Sequence, residues 1–472
     1  MDHEPTQRTL KTWEITAISL GFMGPVMAMS LNGIGIAGLV GKSVPFTFCL
    51  AFIGTLLVAY SFIRLTGFIG HSGSIYALAG LTIGPRAGFF GGWVLLGTYI
   101  CFSMCIVGAC AVFGTAFFAE LGIELDGQQW MFIAVFVLAI GLFLNSRESK
   151  ITARFLLSVG FIGIASMLFL AIFILIKVGT DIDSAPVKTG IDFSVFTPGN
   201  SRWTTIITAS VFAFLSWAGF ESGSALGEET HNPTKIVPRS LLYAVVLGGI
   251  TYIFVMFAVT IGFGTDSQGI AAFSSSSSAL TELSTRYINH GFAVGMAAVA
   301  FCVALAAFLS STAAASRLLY ALARDDCGPR VFAYISKKHA IPLYAVWFCI
   351  ILAVGSALAL GLMGMSSVDI YYYLATIGTL CMVVAYATTS LGVIFFILQS
   401  RRAIPRYEIF IPILALCYLL FVYFIQIHDQ SAPFTYFPYI AGAWCFLGIV
   451  IATARPRLAE KIGKEMRDKN PI

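Results

Sequence analysis

Charge is what this chain has least of. Only 11% of its 472 residues are Asp, Glu, Lys or Arg, against 58% hydrophobic residues and a mean hydropathy of +0.88. Globular domains carry roughly a quarter charged residues, so a soluble protein with a polar surface is excluded. Histidine is scarcer still: none of the six lies within a long apolar run, and the ten cysteines form no Cys-x-x-Cys pair. That argues against a zinc cluster or a disulfide framework. Cys101, Cys105 and Cys110 share one run and read as small apolar packing residues. There is no phosphate-cradling loop, no His-Glu-x-x-His and no buried nucleophile-base set, so neither a cofactor nor a membrane-embedded enzyme is indicated.

What the chain has instead is long apolar runs. At about 20 residues per crossing, they fall at 14–40, 44–66, 88–118, 129–146, 151–177, 204–228, 239–262, 292–323, 342–363, 369–398, 408–427 and 435–454. The expectation is an all-α integral membrane protein of twelve transmembrane helices. Its first run is too long for a signal-peptide core and is kept as an anchor. The longest hydrophilic stretches, 178–203 and 263–291, read as outer loops, with Ser274 to Ser278 as a loop tip.

Charge placement orients the chain. With the N-terminus cytoplasmic, 23 of the 28 Lys and Arg fall inside, all but Lys42, Lys177, Lys188, Arg202 and Arg286. Both termini are then cytoplasmic, with 1–13 as the leader and 455–472 as a basic tail in a plasma membrane. The net charge of +5 reports topology and anionic headgroups, not nucleic acid.

Two runs carry helix breakers. Gly24-Pro25 sits in the middle of the first, followed by Asn32-Gly33-Ile34-Gly35, and Ser216 to Ser224 interrupts the sixth. Glycine relaxes the backbone and proline removes a donor. The breaks open two five-helix blocks, 14–177 and 204–398, and an odd helix number per block makes the second an inverted copy; 408–454 adds two C-terminal helices. Paired breaks of this kind place freed backbone groups at the bilayer midplane in carriers. Glu221 lies within the second break and is the one formal charge deep inside an apolar run. A carboxylate there faces a polar cavity, a partner or a solute.

Several motifs resemble the amino acid, polyamine and organocation (APC) superfamily across nearly the whole chain. Gly219-Phe220-Glu221-Ser222 with Gly227-Glu228-Glu229-Thr230-His231-Asn232-Pro233 looks like its sixth helix and cytoplasmic exit. Ser72-Gly73-Ser74-Ile75-Tyr76-Ala77 is similar to its stretch after helix two, with His71 where proline is common. Ala321-Leu322-Ala323-Arg324-Asp325-Asp326 is similar to the end of its eighth helix. The resemblance implies a leucine-transporter-like five-plus-five inverted repeat with discontinuous helices 1 and 6. It also implies that amides at Val26, Met27 and Ala28, beside Gly24, bind a carboxylate, while carbonyls of Leu215, Ser216 and Ala218 take an ammonium. Ser311 and Thr312 fall where sodium-coupled carriers of the fold supply two hydroxyl ligands, or they simply pack helix eight. Where some relatives carry a lysine in helix five, this chain has Gly163.

Met23, Phe212, Trp217 and Phe220 are candidates for an apolar wall and gate, or else for packing residues. Glu221 reads either as a proton carrier, since burial penalises the charged form, or as a cap on the second half-helix. Glu228 and Glu229 read as a cytoplasmic network with Arg239 or Arg324. No basic residue stands in the core, which disfavours an anionic substrate, and one acid poorly serves a polyamine. The function expected is secondary active transport of neutral, zwitterionic amino acids, coupled to sodium or protons or running as exchange. The alternatives are an amine or polyamine permease and a transporter-like amino-acid sensor. The sequence sets no oligomeric state.

Overall fold

The computed structural model describes residues 10–69, 75–146, 149–180, 186–324, 328–336, 341–399, 404–428 and 430–454; the side chains of 149–156, 225–226 and 228–229 lie outside that description. His71, Ser72 to Ser74, Asp325 and Asp326 are outside the described residues, as are residues 1–9 of the leader and the tail.

Among the described residues sixteen α-helices follow one another: α1 (Thr12–Met23), α2 (Pro25–Val40), α3 (Val44–Thr66), α4 (Ile75–Thr82), α5 (Pro85–Glu120), α6 (Met131–Asn145), α7 (Ser149–Thr180), α8 (Trp203–Leu215), α9 (Pro233–Phe263), α10 (Ser267–Ser275), α11 (Ala279–Tyr287), α12 (His290–Arg324), α13 (Leu343–Leu362), α14 (Ser367–Gln399), α15 (Phe410–His428) and α16 (Phe437–Ala454). Among the described residues there is no β-strand, only an isolated bridge between Leu10 and Thr230. Pro25, Pro85 and Pro233 each open a helix, a position where the missing N–H has no acceptor to lose. Nine segments of the described chain are long and apolar enough to cross a bilayer, the first of them, Thr12–Thr66, holding α1, α2 and α3. The apolar helices α6 and α8 are shorter.

Buried hydroxyls do not break these helices, because they donate to a carbonyl one turn back. Thr55 does so to Ala51 at 2.8 Å and Thr82 to Leu78 at 2.7 Å. Packing between helices is set by glycines that admit bulky partners. Trp93 of α5 and Trp444 of α16 stack with centroids 4.5 Å apart, and each indole N–H donates to the other's carbonyl, at 3.0 and 3.1 Å. A Cβ on Gly97 would stand 2.4 Å from Trp444, and one on Gly448 2.5 Å from Trp93. At the foot of α3, Arg64 and Tyr60 both donate to Glu408, which precedes α15.

The stretch 263–291, expected as a loop, instead forms α10 and α11. Asp266 caps α10 by accepting from the Gly269 amide at 3.1 Å, and Leu280, Leu283, Ser284 and Tyr287 give α11 one buried face. Ser274 and Ser275 end α10, so only Ser276 to Ser278 remain as the tip. Both helices cover α2: a Cβ on Gly33 would meet Phe273 of α10 at 3.2 Å, and one on Gly41 would meet Ile270 at 3.6 Å. At the other end, α1 is tied to α9, where the Ser240 hydroxyl donates to the Thr12 carbonyl at 2.8 Å and Thr16 donates to the Ser240 carbonyl at 3.3 Å.

Candidate functional site

The first span is broken at Gly24, whose φ of 59° and ψ of 58° are left-handed. Pro25 has no N–H, and Ala28 already donates to the Gly24 carbonyl at 2.9 Å. Of the three amides expected at the break, those of Val26 and Met27 are therefore the ones that first-turn geometry leaves open.

The sixth span tightens before it breaks. The amides of Ser216, Trp217 and Ala218 each reach back three residues, the last to Leu215 at 2.9 Å. Gly219 then turns left-handed at φ 97°, and Phe220–Glu229 continues as a 3₁₀ helix. The Leu215 carbonyl is engaged, whereas those of Ser216 and Ala218 accept no backbone donor among the described residues. Such under-satisfied carbonyls face a ligand or solvent more readily than orphan amides do.

Between the two breaks lies a cavity of about 40 Å³. From the first span it is lined by Phe22, Met23, Met27, Ala28 and Asn32, and from the sixth by Leu215 and Ala218. Phe102, Cys105 and Ile106 of α5 and Tyr371 and Ala375 of α14 complete it. No charged side chain is in this lining.

The remaining candidates lie beside it. Val26 points its side chain at α7, where a Cβ on Gly163 would stand 2.8 Å from its Cγ2. Phe212 makes edge contacts with Tyr372 and Phe434. Trp217 stacks on Phe52 at 6.0 Å and donates to the Val245 carbonyl at 3.4 Å, and Phe220 packs edge-on against Phe62 and Tyr386. Ser216 accepts at Oγ from Asn32 Nδ2 at 2.9 Å.

Glu221 is 3% exposed and hydrogen-bonded at both oxygens. Tyr386 donates to Oε2 at 2.5 Å, the Gly219 amide donates to the same oxygen at 3.1 Å, and Tyr99 donates to Oε1 at 3.2 Å. The carboxylate thus caps the break and joins it to α5 and α14. Three donors compensate much of the desolvation that would otherwise expel the group.

Ser311 and Thr312 diverge. Ser103 of α5 donates to Ser311 Oγ at 3.1 Å, while Asn145 of α6 donates to Thr312 Oγ1 at 2.9 Å and to the Leu309 carbonyl at 3.0 Å. Both hydroxyls also donate to the Phe308 carbonyl. The sequence reading did not single out Asn32, Tyr99, Tyr386 or Asn145. Asn32 had a local signal, one helical turn after Ala28 on the same face; the others had none.

The profile of the amino acid permease family matches residues 10–451. The chain belongs to that family. Relatives of this permease include a low-affinity putrescine importer of Escherichia coli, 25% identical over 71% of each chain. A branched-chain amino acid permease of Bacillus subtilis is 23% identical over 72% of each. A branched-chain amino acid permease of Lactococcus lactis is 25% identical over 74% of this chain and 75% of its own. The permease is therefore a multi-pass membrane protein of the APC superfamily.

Proposed function

We propose that this permease is a secondary active carrier of neutral, zwitterionic amino acids that works by alternating access across the plasma membrane. One observation carries the reading: a small cavity lies between two helix breaks, lined by Met27 and Ala218, whose backbone groups are open, and by no charged side chain. The Val26 and Met27 amides suit a substrate carboxylate, and the Ser216 and Ala218 carbonyls suit its ammonium. A dication such as putrescine, which a relative imports by name, needs anionic partners that this lining lacks. Glu221, the nearest acid, is held by two tyrosines and an amide.

Counting Thr12–Thr66 as two crossings and adding the shorter α6 and α8 gives twelve. The reading groups 14–177 and 204–398 as inverted five-helix repeats, with 408–454 appended and both termini cytoplasmic. Near one end of the broken span α10 packs on the glycines of α2, and near the other α1 is docked on α9, an arrangement suited to an occluded state. Opening to the cytoplasm would part the Thr12 and Thr16 bonds to Ser240, and opening outward would lift α10 from the glycines of α2.

The test is uptake by the purified permease in liposomes, screened across amino acids and amines under sodium and proton gradients imposed separately. Saturable uptake of neutral amino acids is expected. Selective uptake of diamines with no response to amino acids would overturn the reading.

A further inference from the structure

Asn32 is 1% exposed and lines the cavity. Its Nδ2 donates to Ser216 Oγ at 2.9 Å, and its Oδ1 accepts from the Tyr371 hydroxyl at 2.8 Å. A carboxamide has two N–H donors and two acceptor lone pairs, so one of each is unused. The other polar side chains of the lining have no strong donor to spare: Tyr371 gives its proton to Asn32 and keeps only acceptor lone pairs, and Cys105 directs its thiol to the Phe102 carbonyl at 3.2 Å. What remains is hydrocarbon, aromatic ring and thioether.

This arrangement divides the labour of recognition. The two breaks offer backbone groups for the ammonium and the carboxylate, and Asn32 offers the one side chain with a donor and an acceptor to spare. Its partners come from two other elements, the sixth-span break and α14, and they hold it in one orientation before any ligand arrives. We infer that Asn32 reads the substrate's side chain, and that the preferred substrates are neutral amino acids whose side chains end in a hydroxyl or a carboxamide. This rests on the cavity being the amino acid site. A hydroxyl can both donate to and accept from the unused half of the carboxamide, whereas a methyl group leaves both atoms buried without partners. An apolar pocket alone could not make that distinction between isosteres.

The experiment compares isosteric pairs on the wild-type permease in liposomes. Threonine is set against valine, and asparagine against leucine, as competitors of a labelled neutral amino acid. Threonine should inhibit at concentrations roughly fivefold or more below valine, the lower end of what leaving a buried polar group unpaired costs. In Asn32→Leu, of similar volume, the ratio should fall to about one, on top of any loss common to both competitors from the Ser216 and Tyr371 hydroxyls left without their partner. A merely structural Asn32 would weaken both competitors equally and leave the ratio intact, which would overturn the assignment. The wild-type ratio needs no variant, so the inference stays testable should Asn32→Leu fail to fold. Equal inhibition by threonine and valine in the wild type overturns the inference while leaving the cavity as an amino acid site. Failure of every amino acid to bind or be carried overturns the site and the inference together.

Discussion

Gly219→Ala is the smallest change that should disable the proposed site. Gly219 sits at φ 97°, ψ −3°, where a side chain costs about 1–2 kcal/mol through the clash of Cβ with the following carbonyl. Space is the second obstacle: a Cβ there would stand 2.0 Å from Cδ1 of Phe22 and 2.7 Å from its Cε1. The ring must turn away, at a further ~0.5–1.5 kcal/mol if it leaves its rotamer. It cannot turn freely, because Phe22 lines the cavity and packs at 5.9 Å against Tyr99, which holds Glu221. The two terms together amount to about 1.5–3.5 kcal/mol, or roughly 10- to 300-fold in an equilibrium constant. Uptake in liposomes should fall by that order, with insertion and monodispersity kept, and Gly219→Leu should abolish it. The double variant Phe22→Ala with Gly219→Ala separates the causes, since it removes the ring but not the backbone strain. It should recover about half of the loss on a logarithmic scale. Wild-type affinity and rate in Gly219→Ala would refute the reasoning, because neither the left-handed turn nor the ring contact could then exist in the working carrier.

Three further outcomes follow from the same geometry. Glu221→Gln keeps one acceptor but sets an amide against a tyrosine hydroxyl; losing charged hydrogen bonds of about 1.5–3 kcal/mol each should cut transport at least tenfold, with the pH profile of the remaining uptake unchanged. Retained transport that no longer responds to pH would instead make the residue a proton carrier. Replacing Ser311 and Thr312 by Ala should change uptake equally in sodium and in choline, because the hydroxyls face Ser103 and Asn145; sodium-stimulated uptake that only the double variant loses would restore a cation role. Outside the membrane segments, hydrogen bonds from Ser194 and from Lys42 hold the Asp192 carboxyl down to about 2. A depressed value stabilises the fold above the ordinary carboxylate range and is lost as pH falls through about 2. The melting temperature of Asp192→Asn should therefore lie below wild type at pH 7, with a gap that narrows below about pH 4 and closes only near pH 2; a gap that persists there would show that the pair is not the cause.

The legible part of the molecule was the part with local causes. A run of some 20 apolar residues has little choice but to form a helix in a bilayer, and the apolar run at 44–66 and α3 coincide. The breaks were legible as well, since Gly24-Pro25 and Gly219 act through their own backbones. The partners of Glu221 were not. Tyr99 and Tyr386 lie 122 and 165 residues away, and nothing in 18 tyrosines distinguishes the two that reach the carboxylate. Burial demanded donors without naming them. α10 and α11 were hidden for another reason: their polar composition resembles a loop, and only the spacing of Leu280, Leu283, Ser284 and Tyr287 betrays a buried face.

Ser311 and Thr312 show where resemblance by position gives way to helix geometry. Neighbours on an α-helix point about 100° apart, so two adjacent hydroxyls converge on one ion only if it sits in the wedge between them. Here that wedge is not left to an ion: Asn145 comes from α6 and donates to Thr312 Oγ1, and Ser103 comes from α5 with a proton shared between the Tyr99 carbonyl at 2.7 Å and Ser311 Oγ at 3.1 Å. A hard cation seeks lone pairs and is repelled by donors. Asn145 therefore carries a consequence beyond packing. Replacing it by Asp would turn a donor into an acceptor beside Thr312 Oγ1 and the Leu309 carbonyl, giving three oxygens where the wild type has two oxygens and an N–H. Asn145→Asp should make uptake or thermal stability respond to sodium where the wild type does not. If the wild type already responds and Asn145→Asp changes nothing, the donor at Thr312 is not what shapes ion dependence in this carrier.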